Sequence, residues 1–185
     1  MTQIIFVTGN HLKLSEAVSV IPNITSLKID LPEIQEIDTK KIISEKLKHA
    51  RKLVNKPDSI LLVEDTSLHC DVLEGLPGPL IKWFLVSMGT HKLSQLVLSQ
   101  DNTSALARTV IGAVFPDGSI SFYEGTTKGE ISTPRGNELG WNSIFIPANS
   151  SKTFGEMDAC EIQQFSMRRQ AFIELSRQIE SFRKQ

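Results

Sequence analysis

Cysteine is scarce in this 185-residue chain, and neither Cys70 nor Cys160 has a partner at CxxC or Cys/His ligand spacing. A disulfide framework and a structural zinc site are therefore disfavoured, and a reduced compartment is expected. No apolar run approaches the roughly 18 residues that a membrane span needs, and the N-terminus lacks the charged and apolar regions of a signal peptide. We expect a soluble, cytoplasmic protein without a membrane partner.

Two enzyme signatures are also missing. The chain contains neither a Walker A motif nor a G-x-S-x-G elbow, which disfavours a P-loop NTPase and a serine hydrolase. The net charge of −1 and the sequence pI of about 6.4 disfavour a nucleic-acid partner. The length predicts one domain over residues 1–185, large enough to bury a core without disulfides or structural metals.

The most informative segment that is present is 61–84. Here an apolar run ends in two adjacent acids, Glu64 and Asp65, and a loop with the sequence GLPGP follows at 75–79. Carboxylates at the end of a buried strand are costly unless they are paired or bind a cation. A Gly/Pro loop beside them indicates a backbone that approaches a ligand closely. The segment therefore predicts a Mg²⁺ site facing a phosphate.

The N-terminus predicts a second part of the same site. The apolar run 4–7 is typical of a buried strand, Thr8-Gly9-Asn10 breaks it, and apolar residues then recur at helical spacing. Asn10 is the expected N-cap, which places Lys13 in the first helical turn. Lysine there opposes the helix dipole unless an anion is bound at the helix N-terminus. An ordinary solvated lysine on a strand–helix turn is the alternative.

Periodicity and turn signals predict the remaining elements of an α/β fold with a mixed central sheet. Residues 104–115 and 119–127 are expected to form a β-hairpin around Pro116-Asp117-Gly118-Ser119. The other expected elements are strands at 3–8, 24–29, 60–64 and 144–146, and helices at 11–21, 39–55, 79–88, 90–99 and from 166.

Six motifs in order give the chain a family resemblance. They are TGNHLK at 8–13, LPEIQEID at 31–38, VEDTSL at 63–68, GLPGPLIKWF at 75–84, PRG at 134–136 and LGW at 139–141. With them the chain resembles the inosine triphosphate pyrophosphatases, the Ham1-type nucleotide hydrolases. The resemblance implies an elongated, curved mixed sheet with flanking helices and two lobes that enclose a deep nucleotide cleft. It also implies a homodimer and hydrolysis of ITP, dITP or XTP to a monophosphate and pyrophosphate.

The resemblance implies roles for individual residues. Glu33, Glu64 and Asp65 would hold Mg²⁺, with Mn²⁺ as the alternative, and Asp65 would be the general base, assisted by Glu64 and Lys13. Phosphate binding would involve Thr8, Gly9, Asn10, Lys13 and Lys46, with Lys48 as the alternative to Lys46. Thr66, Ser67, Leu139, Gly140, Trp141, Asn142, Ser166 and Arg168 would complete the substrate site.

The base-recognition segments depart from the family pattern. An aromatic residue and an aspartate of that pattern are Leu139 and Asn142 here, and a lysine and a histidine are Ile162 and Met167. These changes remove a ring face, a charge and two donors, so discrimination between 6-oxo and 6-amino purines is expected to be weaker. Two alternatives therefore remain open: the same reaction with a changed or relaxed base preference, and a nucleotide-binding protein without turnover.

Overall fold

The computed structural model describes residues 2–182. Its strands are β1 (Ile4–Val7), β2 (Ile24–Leu27), β3 (Ile60–Cys70), β4 (Pro77–Gly78), β5 (Ser104–Val114), β6 (Ile120–Ile131) and β7 (Phe145–Pro147). Its helices are α1 (His11–Val20), α2 (Thr39–Leu53), α3 (Ile81–Leu98), α4 (Ala159–Phe165) and α5 (Met167–Phe182).

The strands form one mixed sheet in the order β2-β1-β3-β5-β6-β7, with β4 beside β3. Strand β1 is parallel to both β2 and β3, whereas β3 with β4 and β6 with β7 are antiparallel. Strands β5 and β6 are neighbours joined by residues 115–119, which confirms the predicted hairpin. The α/β class with a mixed central sheet is thus confirmed.

The chain divides into two compact units, each assembled from separate segments. Of the described residues, the first unit comprises 2–65, 109–125 and 168–182, and the second comprises 66–108 and 126–167. A single domain over the whole chain stays a prediction.

The core of the first unit lies on both faces of its strands. Ile60 and Leu62 pack into a cluster with α1 and α5, whereas Leu61 and Val63 pack into a cluster with α2. This alternation follows from the two-residue period of a strand, which points successive side chains to opposite faces. The side chains of the next two residues of β3, Glu64 and Asp65, therefore point to these same two faces of the sheet.

The core of the second unit is built around aromatic rings. Trp141, Phe145 and Phe154 contact one another with centroid separations of 5.4 to 6.1 Å. Leu68, Leu93 and other apolar side chains complete this cluster. Apolar and aromatic packing thus forms the core of the second unit.

One predicted strand end is wrong, and one helix lies where the sequence patterns predict none. Strand β3 does not end at residue 64 but continues to Cys70, because cations partner both acids inside it. Helix α4 was not predicted, although Asp158 and Glu161 form a capping box at its start. Two helices were expected around position 89, and α3 is interrupted there by Gly89, whose φ of 74° is not helical. Within residues 2–182, no helix combines the length and apolar character needed to cross a bilayer.

Candidate active site

The turn between β1 and α1 is fixed by its own side chains. Thr8 Oγ1 accepts a hydrogen bond from the Asn10 amide at 3.1 Å. Asn10 Oδ1 accepts from the amides of Leu12 and Lys13, at 2.9 and 3.3 Å, which confirms Asn10 as the N-cap. A side chain at Gly9 would lie 3.1 Å from Cγ of Lys28, so glycine leaves room for that lysine. A cavity of about 140 Å³ opens at this turn, lined by Thr8, Gly9, Asn10 and Lys28 among others.

Glu64 carries a deeply buried charge, with 2% of its side chain exposed. Its carboxylate lies 2.8 Å from Lys13 Nζ and accepts hydrogen bonds from Arg168 Nε and Nη2, at 2.7 and 3.2 Å. Burial alone would raise the pKa of Glu64, but the charges of Arg168 and Lys13 outweigh it and lower the pKa to about 2. The carboxylate is therefore ionised at neutral pH, and both of its oxygens have cationic partners.

Arg168 is in turn held by a second acid, Glu16 of α1. Its Nη1 donates to Glu16 Oε1 at 2.6 Å, in addition to the two bonds to Glu64. Burial lowers the pKa of Arg168, but the charges of Glu64 and Glu16 outweigh it, so the pKa is raised. No sequence motif indicates this role of Glu16, because 152 positions separate it from Arg168. The contact with Glu16 helps to fix the orientation of the planar guanidinium group of Arg168.

Asp65 points to the opposite face of β3 and meets α2. Lys46 Nζ, on that helix, donates to Asp65 Oδ1 at 3.1 Å and lies 2.9 Å from Glu33 Oε1. Burial lowers the pKa of Lys46, but the charges of Asp65 and Glu33 raise it overall. Lys46 therefore lies beside both acids, whereas Lys48 is exposed and paired with Glu45; the phosphate role of either lysine stays a prediction.

The carboxyl group of Asp65 differs from that of Glu64 in both pKa and bonding. Burial raises the pKa of Asp65, and the attraction of Lys46 offsets only part of that effect. Its Oδ2 is buried and has no hydrogen-bond partner. An acceptor in this state is costly unless a ligand uses it.

The carboxylates of Glu33 and Asp65 are suited to bind a divalent cation. Two carboxylates, from Glu33 and Asp65, converge on one ammonium group, and Asp65 keeps an unpartnered oxygen. Among residues 2–182 no three His, Cys, Asp or Glu side chains form a ready-made metal cage. Mg²⁺ requires none, because it binds through one or two carboxylates together with phosphates and water. The metal role predicted for Glu64 would require one of its ion pairs to open, and it stays a prediction.

The predicted residues of β3 in the second unit have different environments. Thr66 is half-buried, whereas Ser67 is fully buried and its Oγ shares a hydrogen bond of 2.9 Å with His69 Nε2. The ring of His69 lies under the GLPGP loop, 3.4 to 3.8 Å from where side chains at Gly75 and Gly78 would begin. Both glycines have positive φ, so they allow this loop to pack on β3.

The segment 139–142 presents one exposed and one buried side chain. Leu139 is 51% exposed, whereas Trp141 is only 7% exposed and packs on Phe145 and Phe154. Gly140 has a φ of 62°, and Asn142 is half-buried with its amide bonded to the Leu139 carbonyl. Side chains at 139 and 142 are thus accessible for recognition, whereas the indole of Trp141 serves the core.

The second departing segment, 162–168, contributes apolar side chains to the core at its two changed positions. Met167 and Ser166 are buried, and Ile162 packs against the aromatic cluster.

Arg135 of the PRG motif donates from Nη2 to the Ser151 carbonyl, and its own carbonyl accepts from Thr153 Oγ1. These contacts support a structural role for the PRG loop.

Comparison with known proteins identifies the same relationship over nearly the whole chain. The sequence model of the Ham1 family matches residues 4–178. The inosine triphosphate pyrophosphatase of Schizosaccharomyces pombe is 38% identical over 186 residues, covering 98% of this chain and 97% of that protein. The one from Yarrowia lipolytica is 41% identical over 160 residues, or 83% of each chain.

Solved structures show the same fold. A HAM1 protein from Coxiella burnetii has a TM-score of 0.82 at 23% identity, covering 98% of this chain and all of that chain. The Ham1 protein of Staphylococcus aureus has a TM-score of 0.79 at 21% identity, covering 96% and 98%.

The buried ion pairs predict how Glu64→Gln alters stability. At pH 7 the change should lower the free energy of unfolding by about 3–5 kcal/mol, because it leaves the largely buried Arg168 and the partly exposed Lys13 short of a charge partner. Since the folded pKa is about 2 and the unfolded value 4.5, the charge contributes fully above pH 4.5 and is lost as pH falls through that value toward 2. Urea unfolding from pH 7 to pH 3 should show the difference from wild type narrowing by about 2 kcal/mol.

The control for this series is Glu45→Gln. Glu45 forms an exposed pair with Lys48, so its loss should leave the unfolding free energy nearly unchanged at every pH. A difference between Glu64→Gln and wild type that does not vary between pH 6 and pH 3 would contradict the assigned linkage.

Proposed function

This chain belongs to the Ham1 family, and from that premise we propose that it is a nucleoside triphosphate pyrophosphatase. The reaction is NTP + H₂O → NMP + PPi, cleaving between the α- and β-phosphates, with ITP, dITP and XTP as the substrates. The relatives from S. pombe and Y. lipolytica are named for the ITP reaction. The observation that carries the proposal is Asp65, a half-buried carboxyl group beside Lys46 of α2, with a raised pKa and an unpartnered oxygen.

The first unit supplies what a triphosphate needs. The capped N-terminus of α1 and Lys13 provide positive potential for phosphate oxygens, with Thr8 and Asn10 shaping the turn. Lys46 of α2 supplies a second cation. Charge neutralisation and fixed orientation account for most catalysis of phosphate cleavage.

Asp65 is proposed to accept the proton of the attacking water. A raised pKa makes its carboxylate a better base than an ordinary aspartate, which suits a group that works near neutral pH. Glu33 and Asp65 would hold Mg²⁺, or Mn²⁺ in its place, with Glu64 nearby on β3. Such a cation neutralises phosphate charge and orients the phosphate chain.

Changed base preference is the second candidate function, and the accessible positions 139 and 142 favour it. Leu139 offers no ring face, and Asn142 offers a donor in place of a charge. A binding protein without turnover is disfavoured by the raised pKa of Asp65, since binding alone has no need of a base.

The first test of the proposed function is Asp65→Asn. It should lower kcat by about 100-fold or more, the usual effect of losing a general base. Stability at pH 7 should not fall, because a raised pKa means that folding disfavours the ionised group. Pyrophosphate release and thermal unfolding are the two measurements. The exposed Asp71→Asn is the matched control. Turnover near the wild-type rate in Asp65→Asn would remove Asp65 as the base.

The second test concerns base preference. The wild-type ratio of kcat/KM for ITP over ATP and GTP should be smaller than in relatives with an aromatic residue and an aspartate at these positions, by about tenfold per lost hydrogen bond. Leu139→Phe combined with Asn142→Asp should move selectivity toward ITP, and Leu139→Met is the control without a ring. Met167 is left unchanged because its side chain is buried in the core. A wild-type protein that rejects ATP and GTP by several orders of magnitude would contradict this expectation.

The third test concerns assembly. We propose a homodimer in the cytoplasm, as the family resemblance implies, with two-fold symmetry as is usual for dimers. Sedimentation velocity at micromolar concentration should give about twice the chain mass of 20.6 kDa. A species of single-chain mass would refute the dimer and leave the proposed reaction standing.

A further inference from the structure

The ammonium group of Lys46 has the surroundings of a metal ion. It lies 2.9 Å from Glu33 Oε1, 3.1 Å from Asp65 Oδ1 and 3.4 Å from the carbonyl oxygen of Glu64. Three oxygens thus receive the three N–H donors of one buried side chain, which is 8% exposed. Two carboxylates and a carbonyl are also the oxygen ligands that hard divalent cations prefer.

We propose that Lys46 is a resident counter-ion that competes with the divalent cation for Glu33 and Asp65 until a nucleotide is bound. The inference rests on the proposed function for the identity of the ligands. A cation that takes the same oxygens must displace the ammonium, and one that takes only Asp65 Oδ2 lies close to a like charge. Either way, Lys46 weakens metal binding in the free protein.

A triphosphate removes this competition. Its oxygens offer the ammonium a new partner, and the two carboxylates are then left to the metal. Linkage requires the effect to be reciprocal, so bound metal would also strengthen binding of the nucleotide. Lys46 therefore favours joint binding of metal and nucleotide over binding of metal alone.

The experiment measures Mn²⁺ binding to the nucleotide-free protein by electron paramagnetic resonance of the free ion. Lys46→Met should bind Mn²⁺ at least about tenfold more tightly than wild type, because a like charge within a few ångströms is removed. Lys46→Arg, which keeps the charge, should stay near wild type. Lys48→Met on the same helix should also leave Mn²⁺ affinity within about twofold, since that lysine is exposed and paired with Glu45.

Further variants locate the effect and guard against misfolding. Adding Asp65→Asn to Lys46→Met should abolish the gain, and Lys46→Gln gives the same charge change with a polar side chain if the methionine variant does not fold. Unchanged or weaker Mn²⁺ affinity in a folded Lys46→Met or Lys46→Gln protein would overturn the inference, whatever the hydrolysis assay gives. If the Lys46 variants bind Mn²⁺ more tightly but the wild-type protein hydrolyses no NTP, the counter-ion role of Lys46 would be supported and the proposed function overturned.

Discussion

The ionised carboxylate of Glu64 depends on two cations that come from opposite ends of the chain. Lys13 is in the first turn of α1 and Arg168 is at the start of α5, and both contact a side chain that has almost no access to water. An isolated charge in that position would cost several kcal/mol, whereas three charge-assisted hydrogen bonds compensate it. The ion-paired cluster therefore fixes how β3, α1 and α5 meet in the first unit. The position of Lys13, which the proposed function uses for phosphate, follows from this contact.

Local sequence signals were sufficient where the backbone chemistry of a few residues decides the structure. The cap at Asn10, the turn after β5 and the helix over most of 39–55 are cases of this kind. The end of β3 was placed wrongly because two adjacent acids ordinarily terminate a buried strand. The partner that permits Glu64 to remain inside it lies 104 positions away, so no local window could contain it.

The same limit applies to side chains whose surroundings depend on distant parts of the chain. Trp141 stands in a motif associated with substrate binding, yet its ring is part of an aromatic core that periodicity in a loop cannot reveal. Glu16 carries no motif, and only the fold brings it to Arg168. Helix α4 is a different case, because its capping box, Asp158 and Glu161, is a local signal that the sequence itself contains.

The two-residue period of β3 gives its adjacent acids opposite properties. Glu64 faces α1 and α5, where paired cations hold its pKa at about 2, so it is a weak base at neutral pH. Asp65 faces α2, where burial raises its pKa and one oxygen is left without a partner. That unpartnered acceptor costs about 1–3 kcal/mol of stability, and such costs persist where a ligand or a reaction uses the group. On the proposed function, therefore, the fully partnered acid holds the phosphate-binding cations in place. The incompletely partnered acid next to it is the one suited to accept a proton.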